Sequence, residues 1–138
     1  MPLMLLEHDA KTLLAQSGVR VPRGWLFASC EEVACAPIPL PAIVKAQVPA
    51  GGRGKAGGIV RTTVASGATD TTRRLLGKTI KGHVVREIRI EEPAAGKECY
   101  LSLTLDPRAG LVRVLASDQG GMDVEQHARM GIPARDAE

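Results

Sequence analysis

Apolar residues recur at Leu6, Ala10, Leu13 and Leu14, the spacing of one helix face, and Gly18 stands where that helix would stop. Val21-Pro22 turns the chain into a short strand from Trp25 to Ala28. Ser29 followed by Glu32 has the form of a capping box and opens a second, brief helix. Pro37, Pro39 and Pro41 make an extended connector. The pattern then becomes that of strands. Ala42 to Val48 is one and Ile59 to Val64 another, with a glycine-rich loop from Ala50 to Gly58 between them. Thr69 to Leu76 predicts a helix stopped by Gly77, and His83 to Ile90 a strand ending at Glu91-Glu92-Pro93. From Glu98 onward a hairpin is expected. Leu101, Leu103 and Leu105 alternate with polar residues, Asp106 to Gly110 makes the turn, and Leu111 to Ala116 returns. Gly120-Gly121 breaks the pattern, and Asp123 to Met130 is expected as a short helix. No internal repeat or low-complexity tract interrupts this order.

Composition narrows the class. With 138 residues, 44% of them hydrophobic and 24% charged, the chain suits one globular domain with a core of its own. Trp25, Phe27 and Tyr100 are the only aromatics, so that core must be built from aliphatic side chains. The same scarcity argues against a binder of single-stranded nucleic acid, which stacks bases on aromatic rings. Cys30, Cys35 and Cys99 lack the paired spacing of a zinc site and read as reduced thiols of a cytoplasmic protein. No apolar run approaches the roughly 20 residues needed to span a membrane. Met1 to Leu6 is too short, and too bare of basic residues, for a signal peptide.

Charge points to a ligand. The net charge is +3, but nine Lys or Arg lie between Arg53 and Arg89 against only Asp70 and Glu87. Such a segment suits an anion, whether nucleotide or RNA, or forms a solvated basic face. Within it, Gly51, Gly52, Gly54, Gly57 and Gly58 leave backbone amides bare, so that phosphate oxygens can approach them. Arg53 and Lys55 add positive charge to the same loop, and Lys45 stands on the strand leading into it. No Gly-Lys-Ser/Thr closes the loop, so it is not a Walker loop. A flexible basic hairpin tip is the other reading of these residues.

The run from Val44 through Lys45 to Gly58 resembles the signature loop of the succinyl-CoA synthetase (ADP-forming) beta subunit and malate–CoA ligase family. Glu7, Ala10-Lys11, Leu13-Leu14, Gly18-Val19, Pro22 and Gly24 resemble that family's opening helix and turn. Leu76-Gly77-Lys78, Lys97-Glu98-Cys-Tyr-Leu and the stretch from Ser117 through Gly121 to Glu125 resemble its later landmarks. The resemblance covers nearly the whole chain, here the amino-terminal portion of the family's pattern. It implies an α+β ATP-grasp fold with mixed or antiparallel sheets: a first subdomain at about residues 20–92, and an incomplete second subdomain from residues 1–19 and 93–138. Apolar surface of that second part is expected to be exposed.

The resemblance also implies a role. The parent would couple cleavage of an acyl-CoA thioester to synthesis of ATP from ADP and phosphate, or run the reverse. Lys45 would bind phosphate, and Gly52, Arg53 and Gly54 would lie along the nucleotide. Glu91, or Glu92 in its place, matches the acidic residue ending the strand that leads to the adenine. Glu98 matches a glutamate that holds the ribose hydroxyls. Pro22 would lie near the base edge, where GTP-using members carry Gln. Magnesium is implied, with its Asn and Asp ligands outside this chain. The implied partners are CoA, a small carboxylic acid and an alpha-type CoA-binding subunit or domain carrying a phosphohistidine. His8, His83 and His127 match no such motif and read as surface or packing histidines. No catalytic or metal residue is assigned within the chain, and no nucleic-acid or membrane partner is expected. Pro49 departs from the family, where many members carry His, and the stretch from Glu91 to Glu98 is one residue short. Another ATP-grasp ligase, such as a biotin-dependent carboxylase, and a non-catalytic basic RNA-binding module are the alternatives.

Overall fold

The computed structural model describes residues 4–118, 120 and 131–132. The chain divides at Ala94/Ala95 into two compact units. Helix α1 (Glu7–Gln16), expected with residues 93–138 in the second subdomain, groups in this chain with the first unit.

The first unit continues with β1 (Gly24–Phe27), α2 (Cys30–Cys35), β2 (Ala42–Ala46), β3 (Ile59–Thr62) and α3 (Ala65–Leu75). It ends with β4 (Thr79–Ile80), β5 (His83–Val84) and β6 (Ile88–Glu91). The main sheet runs β1-β6-β2-β3, and each neighbouring pair is antiparallel. The capping box forms: Ser29 Oγ accepts the Glu32 N–H at 3.2 Å. The reciprocal bond runs from the Ala28 N–H to Glu32 Oε2 at 2.8 Å, one residue ahead of the cap.

Strand alternation sorts the side chains of the sheet into two faces. Ala42, Val44 and Ala46 of β2, with Ile88 and Ile90 of β6, are buried in the hydrophobic core. Helix α3 covers that face with Ala68, Thr71, Thr72 and Leu75, buried at helical spacing. On the other face, Lys45 stands opposite Arg89, and Glu91 opposite both Ile43 and Gly24. There the cover is α1, which has no buried residue of its own; Leu13 and Leu14 stay exposed. Polar side chains dock this helix.

Two expected elements differ. The strand expected from His83 to Ile90 is two: β5 turns back on β4, and β6 joins the main sheet. The two-residue turn Lys81-Gly82 has positive φ at both positions (50° and 82°), as a primed hairpin turn demands. Helix α3 begins at Ala65 rather than Thr69, because packing of its apolar face extends it through Ser66 and Gly67, which are weak helix formers on their own.

The second unit holds β7 (Tyr100–Asp106), β8 (Leu111–Ser117) and β9 (Gly131–Ile132), paired antiparallel in that order. The expected hairpin is present. Asp106 closes its loop by accepting the Arg108 and Ala109 N–H groups, both at 3.1 Å. Leu101, Leu103 and Leu105 share one strand face and are 65–70% exposed, the apolar surface expected of this part. The expected helix from Asp123 to Met130 lies outside the described residues. The α+β class with antiparallel sheets is as expected.

Candidate functional site

Lys45 and Arg89 are directly opposed across β2 and β6. Like charges in that position repel, and both side chains are largely withdrawn from water. Carboxylates must therefore come to them. Glu91, two residues along β6 on the same face, accepts Arg89 Nε at 2.7 Å and is in direct ionic contact with Lys45. Glu7 reaches down from α1 to Lys45 Nζ at 2.9 Å. Lys11, one helical turn beyond Glu7, pairs with it at 2.6 Å and donates to both oxygens of Glu91 at 2.9 and 2.7 Å.

The result is a closed ring of alternating charge: Lys11, Glu7, Lys45, Glu91 and back to Lys11. Two arginines hang on it. Arg53 of the glycine loop pairs with Glu7, and Arg89 pairs with Glu91. The ring is neutral, so the arginines leave an excess of two positive charges at the foot of the loop. Arg89 is satisfied inside the unit, donating also to the Pro22 carbonyl at 2.9 Å and lying 2.8 Å from His8 Nδ1. A Cβ on Gly24 would stand 2.7 Å from that guanidinium and 2.7 Å from Glu91 Cβ, so the strand carries glycine where Arg89 crosses it. Gln47, also buried, accepts the His8 N–H at 2.9 Å and donates to the Lys45 carbonyl at 3.1 Å.

The electrostatics follow from burial and contact. Burial alone would raise the Glu91 carboxyl. Hydrogen bonds from Lys11, Lys45 and Arg89 outweigh it and hold the pKa at about 2. For Lys11, burial dominates: despite Glu91, and with Lys45 adding repulsion, its ammonium falls to about 8. Burial also lowers Arg53, against the pull of Glu91.

A cleft of about 390 Å³ flanks the glycine loop, lined by Leu5, Glu7, Val48, Gly51, Gly52 and Arg53 among others. A second, of about 480 Å³, is bordered by His8, Lys11, Pro22, Gly24 and Arg89 among others. Lys45 lines neither, and its side chain is 15% exposed. Of the residues singled out in the sequence, Lys45, Arg53 and Glu91 meet in one cluster, with Gly52 and Gly54 in the loop beside Arg53. Glu92 places its N–H on the Arg23 carbonyl at 2.9 Å. Glu98 belongs to the second unit, where it is exposed and its carbonyl accepts the Gly120 N–H at 3.1 Å. His8 packs against Arg89, His83 is exposed on β5, and His127 lies outside the described residues.

Glu7, Lys11 and Arg89 were not singled out as site residues. Their signals are present in the chain: Arg89 and Glu91 are charges alternating with isoleucines in a strand, and Glu7 and Lys11 are an i, i+4 pair. Among the described residues no three His, Cys, Asp or Glu side chains are placed to hold a metal ion, and Glu7 and Glu91 are already engaged by cations. No described helix is long and apolar enough to cross a membrane.

Residues 4–132 match the sequence profile of the ATP-grasp domain. The chain is 41% identical over 129 residues to a succinate–CoA ligase (ADP-forming) subunit beta 1 of Archaeoglobus fulgidus, covering 91% of this chain and 34% of that protein. It is 41% identical over 138 residues to the subunit beta of Syntrophotalea carbinolica, covering 92% and 35%. The chain thus spans about a third of the length of the curated relatives it matches. Among solved structures, a dinucleotide-forming acetyl-coenzyme A synthetase 1 of Ca. Korarchaeum cryptofilum aligns with TM-score 0.64 at 24% identity, over 91% of this chain and 56% of that one. A phosphoribosylamine–glycine ligase of Thermotoga maritima aligns with TM-score 0.62 at 20% identity, over 81% and 28%. Likeness at this identity speaks to the fold.

Proposed function

Because this chain belongs to the ATP-grasp family, we propose that its first unit binds the phosphates of ATP and ADP within an ADP-forming acid–CoA ligase of the succinate–CoA ligase kind. One observation carries the reading: Lys45 and Arg53, from a strand and from the glycine loop, converge on one carboxylate where positive charge is in excess. A phosphate there gains charge-assisted hydrogen bonds in a largely desolvated setting, together with the bare amides around Gly52 and Gly54. The chain's own residues then bind and orient the phosphates, and stabilise charge on them as it moves. Glu91 acts on the nucleotide through Lys45, whose ammonium it holds. Glu98 is assigned to the ribose hydroxyls.

Similarity to succinate–CoA ligase beta subunits motivates the rest of the proposal. The complete protein makes or cleaves an acyl-CoA thioester with an alpha-type partner that binds CoA and carries the phosphohistidine. Magnesium would be held by ligands other than the described residues. The setting is cytoplasmic.

The nucleotide is proposed to be adenine. Pro22 borders the cleft beside Lys11 and Arg89, and its carbonyl is taken by Arg89. Proline offers no N–H to a guanine carbonyl, which would lose about 1–3 kcal/mol if buried unpaired. ADP and GDP titrated separately at fixed magnesium and salt test this, with ADP expected to bind tighter. For the phosphate site, Lys45→Ala should lower ADP affinity by about tenfold to a hundredfold, the worth of about 1.5–3 kcal/mol. Unchanged affinity would remove Lys45 from the site.

A further inference from the structure

Lys45 is fixed by a strand, but Arg53 sits in a loop with glycine at positions 51, 52 and 54 around it. Backbone bonds tie that loop to itself, from the Gly58 N–H to the Arg53 carbonyl and from the Gly57 N–H to the Gly54 carbonyl. They fix the loop backbone but not the Arg53 side chain, which is itself 14% exposed. What holds it is Glu7, the acidic side chain that, among the described residues, contacts both Lys45 and Arg53.

We propose that Glu7 of α1 is a positioning residue for nucleotide binding: its carboxylate sets the spacing of Lys45 and Arg53 before the phosphates arrive. The proposal rests on the reading of those two cations as phosphate ligands. Glu7 is itself fixed, because Lys11 pins it from the next turn while also gripping Glu91. The ring therefore converts the position of a helix into the position of a loop arginine. A free arginine would have to give up rotamer freedom on binding, and here that ordering precedes the ligand. Glu7 does not act chiefly as a competitor of phosphate. Lys11 and Lys45 both meet its Oε1, its buried Oε2 is in ionic contact with Arg53 but accepts no hydrogen bond among the described residues, and the cluster around it stays positive. Without Glu7 the four cations share Glu91 alone, and their repulsion drives Lys45 and Arg53 apart.

A double-mutant cycle tests this in the full protein by calorimetric titration of ADP. Glu7→Gln should weaken binding about fivefold to thirtyfold. In a Lys45→Ala background the same substitution should cost at least about threefold less, because one of the two groups it positions is gone. A purely structural role for Glu7 would give the same loss in both backgrounds, and that result overturns the proposal. So does equal or tighter binding by Glu7→Gln. If Glu7→Gln does not fold, by far-UV circular dichroism, Glu7→Asp replaces it in the same cycle. Asp keeps the charge but is one methylene shorter, so binding should fall at least about threefold; wild-type affinity would overturn the proposal, because charge without placement would then suffice. Failure of the underlying reading looks different. In that case Lys45→Ala itself binds ADP like wild type, whereas failure of the present proposal leaves Lys45→Ala weakened and Glu7→Gln unchanged.

Discussion

The two faces of the four-stranded sheet are made by the same strands and held by opposite physics. Toward α3, β2 and β6 present Val44, Ala46, Ile88 and Ile90, and the contact is dry and aliphatic. Toward α1 they present Lys45, Arg89 and Glu91, and the contact is a ring of ion pairs that buries no residue of the helix. Burying apolar surface stabilises by about 25 cal/mol per Å². Burying ions costs several kcal/mol each before their attraction returns it, and apolar residues of like volume often do as well or better. The aliphatic face thus accounts for folding, whereas the ionic face needs another reason to exist. An anion-binding site whose cations must be held apart and in place supplies one.

Substitutions should separate the faces. The largest effect is expected on the aliphatic side: Ile90→Ala opens a cavity in the core and should cost about 2–5 kcal/mol in urea unfolding. Gly24→Ala should cost less, about 1–3 kcal/mol, because the new methyl meets the Arg89 guanidinium at 2.7 Å. That strain falls on the ionic face, so ADP affinity should drop with it, which Ile90→Ala should not cause.

Titration marks the ionic face as well. Native Lys11 loses its proton at about 8, against 10.5 for the unfolded chain. Between those values the unfolded state binds more protons, so stability should rise with pH, and Lys11→Met should remove the rise. Glu91 governs the acid side. Its native pKa is about 2 against 4.5, so its stabilisation is complete above pH 4.5 and lost as pH falls toward 2. Urea midpoints across both ranges check the two signs. The smallest effect returns to the aliphatic side. Thr72 buries a hydroxyl with no hydrogen-bond partner among the described residues, so Thr72→Val should stabilise by about 0.5–1.5 kcal/mol in thermal unfolding.

The aliphatic face was the more legible of the two. Strand alternation in Ala42–Ala46 and the glycine loop announced themselves by residue type, and Lys45 and Arg53 were found with them. The β4–β5 hairpin was missed because Lys81 carries a positive φ, which its side chain does not advertise; Gly82 alone did not suffice to mark the turn. Glu7 and Lys11 belong to a helix some 80 residues from Glu91 in the chain, and no local spacing links them. Their partnership depends on register: Lys45 opposes Arg89 only because β2 and β6 are paired as they are. Long-range pairing of this kind is set by the fold as a whole.

The division between the faces is tested most directly by the stability that ADP adds. At an ADP concentration 100 times its dissociation constant, the wild-type protein should gain about 2.7 kcal/mol against unfolding. At that same concentration Lys45→Ala should gain only about 0.4–1.4 kcal/mol, following a tenfold to hundredfold loss of affinity. Ile90→Ala, much less stable to begin with, should still gain about 2.7 kcal/mol. A full gain in Lys45→Ala, or a lost gain in Ile90→Ala, would contradict the assignment of binding to the ionic face and folding to the aliphatic one.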